Sequence, residues 1–160
     1  MTGAESTATP TDLAMMRRAL DLARQAMEMD ETPVGAVVYE TDTGRELGAA
    51  HNRRQVDADP TAHAELIALR QAAKAVGDWR LNHCTLVVTL EPCAMCAGAI
   101  VNARIGRLIF GATDPKAGAV VSLYTLCQDD RLNHRLTPIG GVDADECSEL
   151  LRIFFKHKRS

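Results

Sequence analysis

The chain has 160 residues, of which 46% are hydrophobic and 24% are charged, and it carries a formal net charge of −3 at pH 7. This length suits one domain with an ordinary hydrophobic core, and the slightly acidic balance excludes a strongly basic protein that coats nucleic acid. The sequence has no apolar run of the ~20 residues that span a membrane and no basic and apolar leader, and its five cysteines, an odd count, argue against a disulfide framework. We therefore expect a disordered segment over residues 1–11 and a single domain over 12–160 that works in the cytoplasm with reduced thiols.

The first part of the chain predicts a helix followed by a β-hairpin. Apolar residues recur at helical spacing over 13–27, after Thr11-Asp12 as a cap, and predict a first helix. Two β-rich runs, 34–39 and 46–50, flank polar turn residues and predict the two strands of a hairpin.

A second helix is predicted to begin at Asp59-Pro60-Thr61 and to end near Gly77. The aspartate supplies a capping oxygen. Proline is favourable in the first turn because the N–H groups there have no partner within the helix, so the missing N–H group of proline costs nothing. A β-rich run over 85–90 then predicts the third strand.

The second half of the chain continues the alternation of helices and strands. A helix is predicted to begin at Cys93, a fourth strand to cover 107–111, a fifth strand 136–139, and a last helix 143–156. Strands interleaved with helices predict an α/β fold in three layers, α/β/α, around a mixed five-stranded sheet.

One imidazole, two thiols and one carboxylate lie at the starts of two predicted helices. His63, Cys93 and Cys96 are ligand types that Zn²⁺ accepts, and a site with three protein ligands keeps a position open, as catalytic zinc sites do. A helix start also lowers the pKa of thiols and favours the thiolates that zinc needs. Glu65 and His63 point about 200° apart on an ideal helix, so they converge only if they lie in the first turn.

Two other interpretations of these cysteines stay open at this point. A C-x-x-C pair at a helix start after a strand is also typical of redox proteins, although His63 favours a metal. Alternatively, Cys84 or His83 supplies a fourth ligand, and the zinc site is structural.

The order H-x-E and then P-C-x-x-C is the signature of zinc-dependent nucleobase deaminases. Beyond this signature, the chain resembles the bacterial tRNA-specific adenosine deaminases of the cytidine deaminase-like superfamily, from Leu13 to the C-terminus. The resemblance is carried by the stretches DPTAHAE (59–65), LEPCAMCAGAI (90–100), PVGAV (33–37) and FGA (110–112), and by Asn52, Arg104, Ile105, Asp114, Lys116, Asn133, His134, Glu146, Cys147, Phe154 and Phe155.

The resemblance implies a cytidine deaminase-like fold and a defined reaction. Enzymes of this family convert the wobble adenosine of a tRNA anticodon, position 34, to inosine, usually in an arginine tRNA with the anticodon ACG. His63, Cys93 and Cys96 would hold one Zn²⁺ per subunit, and Glu65 would be the catalytic proton shuttle. The expected partners are a tRNA anticodon stem-loop and a second copy of the chain in a homodimer, with no organic cofactor and no membrane.

The resemblance also implies which residues contact the substrate. Asn52, Val34 and the backbone of Ala64 would form the pocket for the flipped nucleoside, and Asp114 and Lys116 would contact the anticodon backbone. By themselves, the same residue types are more often ordinary turn, core or solvated residues.

The last helix is expected to lie against the RNA through Phe154, Phe155 and a basic tail. Four basic residues without an acidic one form this tail: Arg152, Lys156, Lys158 and Arg159. Val121 and Thr113 depart from the residues that many family members carry, glycine and arginine respectively, which puts the RNA affinity of their loop in question.

Two alternative functions remain compatible with the sequence. One is a deaminase of free bases or nucleosides, such as guanine or cytosine, on the same fold. The other is an RNA-binding or structural zinc domain without catalysis, against which an intact Glu65 beside three ligands argues.

Overall fold

A mixed β-sheet lies between two pairs of helices in the computed structural model, which describes residues 7–159. The helices and strands, in chain order, are α1 (Pro10–Glu28), β1 (Gly35–Glu40), β2 (Glu46–His51), α2 (Ala64–Val76), β3 (Cys84–Leu90), α3 (Ala94–Asn102), β4 (Arg107–Ala112) and α4 (Ala144–Arg159). The predicted α/β fold with an α/β/α arrangement is confirmed.

The four strands lie in the order β2-β1-β3-β4. β1 pairs antiparallel with both β2 and β3, whereas β3 and β4 are parallel and are connected by α3. The predicted hairpin and the mixed character of the sheet are therefore confirmed. Since α3 begins only a few residues after β3 ends, the start of this helix lies at the carboxyl end of a central strand.

The predicted fifth strand over 136–139 is wrong. The segment forms one isolated parallel bridge to β4 at Ile139. There, Ile139 donates a hydrogen bond to the Leu108 carbonyl and accepts one from the Phe110 N–H group, both at 2.9 Å. Before the bridge, Leu136 donates to the Cys127 carbonyl instead of to β4, and after it the backbone turns at Gly141 (φ 83°), so the sheet of the described residues has four strands.

Thr9, not the predicted Thr11-Asp12 pair, caps α1. The Thr9 hydroxyl accepts a hydrogen bond from the Asp12 N–H group (3.1 Å), and the Asp12 carboxylate accepts one from the Thr9 N–H group (2.9 Å). This reciprocal pair is a capping box, with Pro10 at the first helical position. Residues 1–6 of the segment predicted to be disordered lie outside the described residues, and the domain boundaries stay a prediction.

The segment 59–61 forms a turn of its own and does not start α2. The Asp59 carboxylate accepts hydrogen bonds from the N–H group (2.8 Å) and the hydroxyl (2.7 Å) of Thr61. α2 begins after this turn with His63 as its N-cap. The predicted helix start is therefore too early, but the observed start places His63 and Glu65 at the first turn, as their convergence requires.

The sheet buries apolar side chains on both faces. Alternate residues of a strand point to opposite faces, so Val38 and Leu86 pack with α2 and α3, while Val37 and Val87 pack with α1 and α4. Among residues 7–159, no helix is both long and apolar enough to cross a membrane.

A buried ion pair fastens α1 to the sheet. The Asp12 carboxylate, which is fully buried, accepts hydrogen bonds from Arg107 at 2.6 and 2.9 Å and from the Tyr39 hydroxyl. Burial by itself raises the Asp12 pKa, but the bonds from Arg107 and Tyr39 lower it below the usual 3.8.

Asp12→Asn is expected to lower the free energy of unfolding at pH 7 by about 1.5–3 kcal/mol, because it removes charge-assisted hydrogen bonds. The pKa of Asp12 is lower in the folded protein than in the unfolded chain, so its stabilising contribution is complete above about pH 4 and is lost as the pH falls through the folded-state pKa. Denaturant titrations of wild type and variant at pH 7, 4 and 2.5 measure this difference. A difference that stays constant or grows on acidification would contradict the assigned role.

Candidate active site

The amino ends of two helices converge at the carboxyl end of β3. His63 is the N-cap of α2 and Cys93 is the N-cap of α3, yet neither side chain caps its own helix. Both side chains point instead to a common point, where Cys96 from the first turn of α3 joins them. The positive ends of both helix dipoles therefore favour negative charge on the groups gathered there.

The three side chains lie at distances that suit a tetrahedral zinc ion. The His63 Nδ1 atom is 3.7 Å from the Cys93 Sγ atom and 3.5 Å from the Cys96 Sγ atom. Ordinary Zn–S and Zn–N bonds at a tetrahedral angle would separate such atoms by ~3.6 Å. The donor set therefore fits zinc without rearrangement.

A fourth protein ligand is not part of this cluster. Among residues 7–159, the donor atoms that lie within 4.8 Å of one another come from His63, Cys93 and Cys96. Cys84 and His83 lie at the opposite end of β3, about seven residues of extended chain away. Three ligands match an open site, so the structural-zinc interpretation has no support in the geometry.

Hydrogen bonds shift the pKa values of the two thiols in opposite directions. Bonds from Cys96 and then from His63 lower the pKa of Cys93 to about 3, so this residue is a thiolate. The bond to Cys93, followed by burial, raises the pKa of Cys96, and the bond to Cys93 raises that of His63. The side chains therefore share protons that a metal ion would displace.

Glu65 lies beside the metal-ligand candidates and is almost completely buried, with 4% of its surface exposed. Burial disfavours its charged form and raises its pKa to about 7, although the Cys96 thiol and the positive charge of His63 counteract part of this effect. A carboxyl group with a pKa near neutrality can both accept and release a proton at physiological pH.

Asn52, which follows β2, caps α2 in place of His63. The Asn52 Oδ1 atom accepts a hydrogen bond from the Ala64 N–H group at 2.8 Å. Since this bond engages its oxygen, the Asn52 side chain has its Nδ2 group left to offer to a ligand. The same bond engages the backbone N–H group of Ala64, which was predicted to face the substrate.

A cleft of about 550 Å³ opens in front of these groups, a size that suits a nucleoside. It brings together the predicted catalytic residue, two of the predicted metal ligands and five of the residues predicted to bind the substrate: Glu65; His63 and Cys93; Val34, Asn52, Asp114, Lys116 and Phe155. Phe154 lies elsewhere: it is buried against α1, in a groove with Met27, and its ring packs edge-on against Phe155 with 5.3 Å between centroids.

Further residues of the cleft are Glu91, Thr113, Arg54 and Arg159. The two arginines add positive charge around the cleft, which suits a phosphate-bearing ligand. Glu91 is the residue that the sequence interpretation missed. Its only signal was the placement of a charged residue between a buried strand and the proline before Cys93.

Comparisons with known proteins agree with this site. The family model of the MafB19-like deaminases matches residues 11–159. The tRNA-specific adenosine deaminase of Haemophilus influenzae is 50% identical over 148 residues, which cover 92% of this chain and 85% of that protein. The tRNA-specific adenosine deaminase of Bacillus subtilis is 43% identical over 148 residues, covering 92% and 91%.

Two solved structures bear on the choice of substrate. A structure from work on A-to-I editing by tRNA:A34 deaminases at the wobble position matches with a TM-score of 0.81 and 44% identity, covering 85% of this chain and 97% of that one. A guanine deaminase from Nitrosomonas europaea matches with a TM-score of 0.79 but only 26% identity, covering 92% and 85%. Because the family model spans nearly the whole chain and the curated relatives match it at 43–50% identity, the chain belongs to the deaminase family and, within it, to the bacterial tRNA-specific adenosine deaminases.

Proposed function

We propose that this chain hydrolyses the wobble adenosine of a tRNA anticodon, position 34, to inosine and ammonia. The observation that carries the proposal is the buried Glu65 next to a three-ligand cluster, in a chain half identical to a tRNA-specific adenosine deaminase. The finer proposal, an arginine tRNA with the anticodon ACG, rests on the family resemblance.

We further propose that His63, Cys93 and Cys96 hold one Zn²⁺ ion. When bound, zinc would supply a water molecule whose pKa is lowered from 15.7 toward about 7. Copper and nickel also accept imidazole and thiolate ligands, but the tetrahedral spacing of the donors favours zinc.

Glu65 would move the protons of the reaction. Its carboxylate would accept a proton from the attacking water and deliver it to N1 of adenine, while a bond forms between the water oxygen and C6. Glu65 would then carry the proton of the new C6 hydroxyl group to the amino group, so that the C6–N6 bond breaks, ammonia leaves and the C6 carbonyl of inosine forms. The pKa of about 7 suits a group that both takes and gives protons in one cycle.

The cleft would hold a nucleotide that is already outside a helix. An anticodon loop presents its bases splayed, so the enzyme avoids most of the few kcal/mol that unstacking a duplex base costs. The Asn52 Nδ2 group would donate a hydrogen bond to the nucleoside, and Val34 would pack against it. Asp114, Lys116 and the arginines of the cleft would contact the flanking backbone, and Phe155 lines the same cleft.

The test is inosine formation in an anticodon stem-loop of sequence ACG, followed by digestion and mass spectrometry. Free adenosine, cytosine and guanine serve as parallel substrates, and stem-loops with another base at position 34 serve as matched controls. We expect turnover of the ACG stem-loop alone. Turnover of free guanine with an inert stem-loop would transfer the assignment to free-base deaminases, of which the Nitrosomonas europaea enzyme is an example.

We also propose that the protein is a homodimer and that it acts in the cytoplasm, where tRNA is available. Two exposed apolar side chains on the face of α2 and α3 support an interface on this face of the fold: Met95 (37% exposed) in the first turn of α3 and Trp79 (54% exposed) after the carboxyl end of α2. Sedimentation equilibrium at micromolar concentration tests this proposal, and a monomer under those conditions would contradict it.

A further inference from the structure

The carboxylate of Glu91 is the centre of a hydrogen-bond cluster that the deamination chemistry does not use. Glu91 follows β3 directly and is only 2% exposed. Its Oε1 atom accepts hydrogen bonds from the Asp114 N–H group (2.9 Å) and the Ser122 hydroxyl (2.5 Å). Its Oε2 atom accepts three more, from the N–H groups of Val120 (3.1 Å), Val121 (2.8 Å) and Ser122 (2.9 Å).

Backbone groups, and not a cation, neutralise this buried charge. Among residues 7–159, no lysine, arginine or histidine nitrogen forms an ion pair with Glu91. Four N–H groups that converge on one carboxylate form an anion-binding nest of the kind that usually holds a phosphate. Burial alone would raise the pKa of Glu91, but the bonds from Ser122, Val121 and Asp114 lower it.

The segment 114–122, which we call the wall loop, is wrapped closely around this carboxylate. A Cβ atom at Gly118 would lie 2.3 Å from the Glu91 carboxyl carbon, so the wall loop can approach this closely only with glycine there. The wall loop is also tied to the metal-ligand segment: Ala119 donates a hydrogen bond to the Pro92 carbonyl at 2.9 Å, and Gly118 pairs with Cys93 in an isolated bridge.

The wall loop forms one side of the cleft. Asp114, Lys116 and Ala117 line the cleft together with Asn52, and Glu91 lines it as well. The Asp114 carboxylate holds the tip of the wall loop by accepting hydrogen bonds from the N–H groups of Lys116 (3.1 Å) and Ala117 (3.2 Å). Two carboxylates therefore hold the wall loop in its conformation: that of Glu91, which is buried beneath it, and that of Asp114, which belongs to it.

We propose that Glu91 is a positioning residue that fixes the wall loop against the Cys93 segment, so that Asp114 and Lys116 stand at a set distance from the metal site. This proposal rests on the proposed function, because the wall loop is taken to bind the anticodon backbone. Glu91 does not contact the reacting atoms in this proposal. Glu91 affects the binding of the stem-loop and not the chemical step.

Glu91→Gln tests the proposal with minimal change in volume. One acceptor oxygen becomes an NH₂ group that faces N–H donors, so the wall loop should loosen. We expect the amides of Val120, Val121 and Ser122 to exchange hydrogen about 100-fold faster while amides of β3 are unchanged. The stem-loop KM should rise about tenfold, equivalent to ~1.4 kcal/mol, with kcat within about threefold of wild type.

Two further variants provide a scale for this result. Ser122→Ala removes one of the five bonds and should raise KM only about twofold. Glu28→Gln makes the same chemical change at an exposed position of α1 and should leave exchange and KM unchanged. Zinc content, measured by atomic emission, should stay equal in all three variants and the wild type.

Three outcomes would overturn the proposal. Unchanged amide exchange in Glu91→Gln would mean that the carboxylate does not order the wall loop. Loss of zinc would mean that Glu91 supports the ligand segment, and a fall in kcat at constant KM would place it in the chemical step. If wild type fails to deaminate the stem-loop, the proposed function fails, whereas the exchange experiment still decides whether Glu91 fixes the wall loop.

Discussion

Glu65→Gln should lower kcat for the stem-loop by about 10²- to 10⁴-fold, the range that a positioned acid–base group contributes. Glutamine keeps the size of the side chain and fills the same buried position, but it cannot accept a proton from water or deliver one to N1. The three proposed zinc ligands are untouched by this change. We therefore expect single-turnover inosine formation to be slow while stem-loop affinity and zinc content stay at wild-type values.

The control for Glu65→Gln is Glu46→Gln, which removes an exposed carboxylate that pairs with Arg18 and lies at the opposite end of β2 from Asn52. Its activity should equal that of wild type. A Glu65→Gln protein that retains zinc and more than about a tenth of the wild-type kcat would show that another group transfers the protons, since the expected range begins at 10².

Cys96→Ser should abolish metal binding and should therefore lower the activity by at least about 10³-fold. Cys96 is fully buried, and its sulfur lies 3.5 Å from the His63 Nδ1 atom, so a serine hydroxyl would be a shorter and harder ligand in a fixed position. Since an ion that binds only the folded state stabilises it, the variant should also lose about 4 kcal/mol of stability at zinc concentrations near 1,000 times Kd.

The matched control is Cys84→Ser, at the other end of β3. Cys84 is also buried, so the substitution puts the same hydroxyl into the core, but it should keep one zinc per chain. Chelation of wild type followed by added Zn²⁺ should restore activity, whereas Cys96→Ser should not recover. Zinc loss in Cys84→Ser with retention in Cys96→Ser would place the metal at another site.

The sequence predicted the elements whose signals are local. The hairpin of β1 and β2 is confirmed, because β-rich runs flanking turn residues need no tertiary information. The fifth strand was wrong because strand pairing is a tertiary event: within 136–139 the parallel bridge to β4 forms at Ile139, while Leu136 donates its N–H group to the Cys127 carbonyl. The start of α2 was misplaced because Asp59 can cap a short turn as well as a helix.

The part of the candidate site that could be predicted is the part formed by side chains whose residue types and spacing are typical of a metal site. Imidazole and thiols at ligand spacing identify His63, Cys93 and Cys96, and the structure brings them together. The role of Glu91 could not be predicted, because its partners are backbone N–H groups 23–31 residues further along the chain. Backbone groups have the same chemistry at every non-proline residue, so only the fold shows where they converge.

The double duty of Asn52 restricts how this pocket can be redesigned for another base. Its oxygen accepts a hydrogen bond from the first turn of α2, next to His63 and Glu65, and we propose that its amide nitrogen binds the nucleoside. An engineered enzyme with altered base preference must therefore keep a hydrogen-bond acceptor at position 52, and aspartate or serine meets that demand where leucine does not. We therefore expect libraries that randomise this position freely to contain many members in which Glu65 is misplaced, whatever their affinity for the new base.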